Sequence, residues 1–153
     1  MRIRAAIASD IPQMKRLILE SPSAAQWNDA DYASLFNSSQ PAPRTALVME
    51  ESGAMFGFIT ARSIGSEWEL ENIAVATASR NKRIGKQLVD ALFKLAQSQG
   101  ASTIHLEVRE SNQTARQLYQ SCGFQETGRR RSYYNNPQED AILYSFSFSS
   151  PKK

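Results

Sequence analysis

Cationic residues gather where an apolar, strand-like run gives way to a helical pattern. Ile73-Ala74-Val75 is followed by Arg80-Asn81-Lys82-Arg83-Ile84-Gly85-Lys86, after which Ile84, Leu88, Val89, Leu92, Phe93, Leu95 and Ala96 mark a helix with one wide apolar face. The first N–H groups of a helix have no partner inside it, and the aligned peptide dipoles add partial positive charge at that end. Arg80, Lys82, Arg83 and Lys86 bring formal charge to the same place. A phosphate-bearing ligand, a pyrophosphate in particular, suits such a site. The spacing is neither GxxxxGK[ST] nor GxGxxG, so neither of those phosphate loops is present. A solvated basic helix start is the alternative reading.

A second set lies downstream. Leu106-Glu107-Val108-Arg109-Glu110-Ser111-Asn112 precedes Ala115, Leu118-Tyr119 and Cys122-Gly123-Phe124, and Arg130-Arg131-Ser132-Tyr133-Tyr134 and Glu139-Asp140-Ala141 come after them. Glu107 falls near the C-terminal end of an expected strand, where the sites of open α/β sheets gather, and its carboxylate is a candidate general base. Tyr119 falls in the expected next helix, and its phenol is a candidate proton donor. Alone, a glutamate on such a strand is usually surface charge and a tyrosine in a helix usually half-buried packing.

Together the two sets resemble the GNAT superfamily of N-acetyltransferases. The first resembles its acyl-CoA motif R/Q-x-x-G-x-G/A through Arg80, Ile84 and Gly85, with Arg83 standing where the family has its first glycine. Glycine there allows backbone conformations closed to other residues. The second resembles the L-E-V-R-x-S-N…A…L-Y-x-x-x-G-F block of the RimI-type ribosomal-protein alanine N-acetyltransferases. This resemblance implies acetyl-CoA as acyl donor, with pantetheine along Ile73, Ala74 and Val75 and pyrophosphate over Asn81 to Lys86. It implies Glu107 as base toward the amine, Tyr119 as proton donor to the leaving thiolate, and Asn112 as a pantetheine contact. Tyr133 and Tyr134 would border the acceptor. Glu69 and Glu71 lie on the strand where related enzymes often keep a base; solvated strand carboxylates are the alternative.

The elements that must position these residues follow from periodicity. A strand is expected over Ile3 to Ala8, then a helix with Ser9-Asp10 at its cap and Pro12 in its first turn. A short helix is expected over Asp29 to Phe36, followed by a break at Gln40-Pro41-Ala42-Pro43. Thr45 to Glu50 and Met55 to Ile64 read as a hairpin around Ser52-Gly53, with a third strand over Glu67 to Val75. The long helix from Ile84 stops near Gly100. A strand over Thr103 to Val108, a helix over Gln113 to Cys122 and strands over Phe124 to Tyr133 and Ala141 to Phe148 complete the order. The expectation is one α/β domain over residues 1–148, a mixed and mostly antiparallel sheet with helices on both faces, and a short flexible tail over residues 149–153. The element order matches that of the superfamily.

Composition sets outer bounds. The chain has 153 residues, 41% hydrophobic and 22% charged, with a formal net charge of +3, which suits one globular domain with an anionic ligand. The segment Met1 to Ala8 lacks a signal peptide's apolar core, and the single Cys122 has no internal disulfide partner; both fit a cytoplasmic protein. No metal site, membrane span or direct nucleic-acid contact is expected. His105, on the same strand face as Glu107, reads as structural, and Cys122 as a small buried residue.

Acceptor choice rests on amine chemistry and the resemblance. An α-amino group has a pKa near 7.7–8.0 and a lysine near 10.4, so far more of an N-terminus is free base near neutrality. The resemblance selects the N-terminal alanine of a small-subunit ribosomal protein. Residue types leave open a lysine, a small amine, or an acyl-CoA-binding module without catalysis.

Overall fold

The computed structural model describes residues 1–21, 24–37, 39, 41–79 and 83–148. Strands β1 (Arg2–Ala5), β2 (Arg44–Glu51), β3 (Ala54–Ile64), β4 (Glu67–Val75), β5 (Thr103–Arg109), β6 (Gln125–Tyr134) and β7 (Glu139–Ser147) form one sheet in the order β1-β2-β3-β4-β5-β7-β6. Every neighbouring pair is antiparallel except β4–β5. Helices α1 (Ile11–Leu19) and α2 (Asp29–Ser34) cover one face through Met14, Leu17, Ile18 and Tyr32, packed on Val48, Phe58 and Ala74. Helices α3 (Ile84–Ser98) and α4 (Gln113–Ser121) cover the other, with Leu88, Val89, Leu92 and Tyr119 against Ile59, Ile104, Leu106 and Tyr144. This is the mixed, mostly antiparallel α/β sheet expected, with helices on both faces.

The N-terminal expectation needs correction. The first strand ends at Ala5, and Ala8–Asp10 is a 3-10 turn. Asp10 stands at the N-cap of α1 with Pro12 in the first turn, as expected, but its side chain makes no cap bond; the carboxylate accepts from both terminal nitrogens of Arg4, at 2.8 and 2.9 Å, and from the Ile7 N–H at 2.7 Å. Those bonds pull the chain out of the sheet into the turn, and Arg4 holds the Asp10 carboxyl below its usual range. Asn28 makes the cap expected of its residue type at α2, in a reciprocal exchange with Asp31. The expected tail over residues 149–153, and Gln40 of the expected break, lie outside the described residues.

Two glycines set how closely the helices approach. A Cβ on Gly57 of β3 would stand 3.0 Å from the Ala74 carbonyl oxygen and 3.1 Å from Ile84 and Leu88, so the first turn of α3 rests directly on the sheet there. A Cβ on Gly85 would stand 3.1 Å from Leu118, so the start of α3 also lies against α4. The N-terminus of α3 is thereby held beside the helix that carries Tyr119.

Candidate active site

The site begins where two parallel strands part. β4 and β5 pair only through Glu67↔Thr103, Trp68↔Ile104 and Glu69↔His105, though β4 continues to Val75 and β5 to Arg109. A bulge accompanies the parting: in the β3 register Ala61 faces Leu70 and Thr60 faces Asn72, leaving Glu71 as an extra residue. Such a bulge bends its strand and increases the twist. It also exchanges the faces: Trp68 and Leu70 belong to the α3 side, whereas beyond it Ala74 belongs to the α1 side and Ile73 and Val75 turn to α3. Among the described residues, Ile73, Ala74 and Val75 pair only with β3. Their other edge opens toward β5, able to take an extended chain that carries amides.

Above this opening stands the start of α3. Arg80, Asn81 and Lys82 lie outside the described residues. Arg83 precedes Ile84 with φ 58° and ψ 24°, in the left-handed region, and its carbonyl accepts from the Gln87 N–H at 3.1 Å. This position therefore uses the backbone freedom of glycine while carrying an arginine. An L residue pays about 1–2 kcal/mol in that region, and glycine's extra unfolded-state entropy offsets about half of it. Arg83→Gly should accordingly stabilise the fold by about 0.5–1 kcal/mol, seen as a higher urea midpoint at unchanged m-value. Ile84 is buried in the core and Lys86 is exposed.

Glu107 lies on the β5 face opposite Leu106 and Val108, which point into the α3 side. Its carboxylate is partly exposed and takes the Arg130 Nε at 3.3 Å. The charge of Glu107 pushes the Tyr133 phenol up, with burial adding to it. Burial pushes the Tyr134 phenol up to about 12, and the charge of Glu107 contributes. Tyr119 is buried on α4, edge-on to Phe124 at 5.6 Å between ring centres, and burial raises its phenol above its ordinary value with a smaller contribution from Tyr134. Tyr134 is thus electrostatically coupled to both Glu107 and Tyr119. Asn112 caps α4 by accepting the Ala115 N–H at 3.2 Å through Oδ1, and its amide nitrogen remains a donor.

The two carboxylates of β4 separate in role. Glu71 receives Arg44 through paired contacts of 2.8 and 2.9 Å and Arg62 at 3.2 Å, and its side chain is 9% exposed. Arg44 also stacks 4.7 Å above Trp27 and bonds Ser34, so Glu71 anchors the α2 region to the sheet. Glu69 has no ion pair among the described residues; burial, reinforced by the charges of Glu71 and Glu107, raises its carboxyl. A raised folded-state pKa makes the ionised form a cost that is complete above that pKa and absent below the unfolded value. Glu69→Gln should therefore raise the urea midpoint relative to the parent at pH 7, with the gain vanishing near pH 4, where the acid is neutral in both states.

Sequence reasoning missed the braces of the β6–β7 hairpin. Arg109 donates to the Pro137 and Asn135 carbonyls at 3.1 and 3.2 Å and to Glu139 at 3.0 Å, with its guanidinium 4.4 Å from the Tyr134 ring centre. Glu139 in turn accepts the Ser111 N–H and hydroxyl, both at 3.0 Å, next to Asn112. A strict two-residue period would send Tyr133 and Tyr134 to opposite faces. The register is irregular between Arg130 and Tyr134, with Ser132 at φ 52°; Arg130 reaches Glu107, and both tyrosine phenols are raised by that carboxylate's charge. His105 bridges Ser145 at 2.6 Å and Glu67 at 2.8 Å across three strands. Burial raises the Cys122 thiol, away from nucleophilic use. Among the described residues there is no metal-binding cluster and no helix long and apolar enough to cross a membrane.

Comparison with known proteins bears on this geometry. The profile of the Acetyltransferase (GNAT) family matches residues 11–124. The ribosomal protein bS18-alanine N-acetyltransferase of Escherichia coli K12 is 32% identical over 128 residues, 82% of this chain and 84% of that protein. Its Salmonella typhimurium counterpart is 37% identical over 97 residues, covering 62% and 66% of the two chains. The crystal structure of the ribosomal-protein-S18-alanine N-acetyltransferase from Escherichia coli superposes with a TM-score of 0.81 at 29% identity, covering 99% of this chain and 96% of that one. An aminoglycoside 6′-N-acetyltransferase complexed with coenzyme A shares the fold, with a TM-score of 0.81 at 20% identity over 99% of this chain and 100% of that one. The splayed parallel pair, the helix start beside it and the family profile converge: this chain is an N-acetyltransferase and belongs to the GNAT family.

Proposed function

We propose that the chain transfers the acetyl group of acetyl-CoA to the free α-amino group of a protein N-terminus, with Glu107 as general base and Tyr119 as proton donor. The observation that carries this reading is the position of Glu107 at the open end of the β4–β5 splay, with Tyr119 on the following helix. Pantetheine would lie against the unpaired edge of Ile73–Val75 and meet the Asn112 amide, with the pyrophosphate over the start of α3. The Glu69, Tyr133 and Tyr134 side would receive the acceptor.

Glu107 takes one proton from the acceptor ammonium, directly or through a water. The freed nitrogen lone pair attacks the thioester carbonyl carbon, the carbon–sulfur bond breaks, and the electron pair leaves on sulfur. Tyr119 donates its hydrogen bond and proton to that thiolate and recovers a proton from the amide nitrogen through solvent. Amide and thiol form, and one proton per turnover returns from Glu107 to bulk water. The gap between α-amino and lysine pKa values, about 2.5 units or about 3.4 kcal/mol, makes an N-terminus an easier acceptor than a lysine for a site with one base. The relatives named for bS18 alanine support alanine as the acceptor residue and a ribosomal protein as its carrier.

Incubation with acetyl-CoA and a panel of N-terminal peptides, lysine peptides and polyamines, followed by thiol release, tests this reading. Preference for an alanine N-terminus supports it. Transfer only to lysine or polyamine refutes the acceptor assignment, and absence of transfer refutes catalysis.

A further inference from the structure

Glu107 already holds a cation. Arg130 reaches it from β6, the edge strand, with Nε 3.3 Å from the carboxylate, and the same guanidinium stands 5.2 Å from the ring centre of Tyr133. This pair differs from the structural pairs of the fold. Arg44 and Glu71 have side chains 12% and 9% exposed, and Arg109 and Glu139 are 22% and 16% exposed; both pairs belong to webs of several hydrogen bonds. Arg130 is 55% exposed against 27% for Glu107, so the arginine is the partner free to move.

The chemistry requires that movement. A guanidinium stays charged at any working pH, and this one stands 3.3 Å from the carboxylate that the acceptor's ammonium must reach. The ammonium therefore meets the Glu107 carboxylate only where Arg130 gives way. An ammonium presents three N–H donors and one positive charge, so it can exchange for the guanidinium without leaving the carboxylate uncompensated.

We infer that Arg130 is a resident substitute for the acceptor's ammonium, occupying Glu107 before the acceptor arrives and displaced onto Tyr133 when it binds. The inference rests on Glu107 as the base and adds a specificity element to it. A protonated amine displaces Arg130, whereas a neutral hydroxyl brings no charge to exchange, so the device favours transfer to nitrogen over oxygen. Competition from an ion pair this exposed is small, about two- to fivefold in acceptor affinity.

Arg130→Gln and Arg130→Lys separate this role from a structural one. Arg130→Gln should lower the acceptor KM about two- to fivefold while kcat and the acetyl-CoA KM stay within about twofold; Arg130→Lys should behave as the parent does. The Nε–H signal of Arg130 in 15N-resolved NMR should shift in Glu107→Gln, and ethylammonium added to the parent protein should move it toward the same position. An acceptor KM that rises or stays constant in Arg130→Gln, or a signal indifferent to ethylammonium, overturns the inference. If the parent acetylates no amine, the catalytic reading of Glu107 fails, and the ethylammonium titration still decides whether Arg130 guards that carboxylate.

Discussion

Glu107→Gln should lower turnover by about 10²–10⁴ at neutral pH, the range a positioned general base contributes. The substitution keeps the side chain's shape, but the amide has almost no affinity for a proton. Acetyl-CoA binding should stay within a few-fold, because the substitution leaves the unpaired β4 edge and the start of α3 unchanged. Part of the loss should return as the pH rises toward 9, since an α-amino group with a pKa near 7.7–8.0 then arrives already deprotonated. The measurement is a pH series of kcat/KM on an alanine-terminated peptide with parent and variant side by side. Near-parent turnover in the variant would sink Glu107 as base and pass the role to Glu69, whose carboxyl is the raised one.

The fold was legible where chemistry and periodicity act locally, and obscure where distant residues intervene. Hairpin turns, the long apolar face of α3 and the block from Leu106 to Phe124 all declare themselves within a short span. The bulge at Glu71 does not, because Glu-Leu-Glu-Asn-Ile-Ala-Val reads as one unbroken strand. Its extra residue is fixed by Arg44, 27 positions upstream, and by the register with β3. That hidden bulge accompanies the parting of β4 from β5 and distinguishes Glu69 from Glu71, two residues the sequence treats alike. Asp10 offers a second case, since its cap chemistry is real but Arg4 claims the carboxylate first. The hairpin offers a third. Arg109 sits in a recognisable block, yet its partners are carbonyls of the turn between β6 and β7, and no side-chain pattern reports a carbonyl's position. Arg83 is the converse: the departure from glycine was visible in the sequence, and the left-handed backbone explains why glycine would suit the site.

Tyr119→Phe should slow transfer by about 10²–10³, the cost of removing one donor aimed at developing negative charge in a site shielded from water. Burial raises the Tyr119 phenol above its ordinary value, so it remains protonated throughout the neutral and moderately alkaline range. A phenol so placed is a weak acid in water but a strong hydrogen-bond donor to a thiolate, and the donated bond stabilises charge as the carbon–sulfur bond breaks. Two signs follow. The parent enzyme should gain no alkaline limb below about pH 10 from this group, since its ionisation has moved upward. The variant should show no alkaline rescue, because deprotonating the amine supplies nothing to the leaving sulfur; this separates it from Glu107→Gln. Folding offers the control. The ring of Tyr119 packs edge-on to Phe124 and tilted to Tyr144, and phenylalanine keeps both contacts. Loss of a single hydroxyl should shift stability by no more than about 1 kcal/mol, so a slow variant with a parent-like melting curve isolates the chemical role. A donor whose acyl thiol leaves as a much weaker base, such as a thiophenyl ester, should lose most of its dependence on Tyr119. If that donor and acetyl-CoA suffer equally from the substitution, Tyr119 supports the site by packing alone.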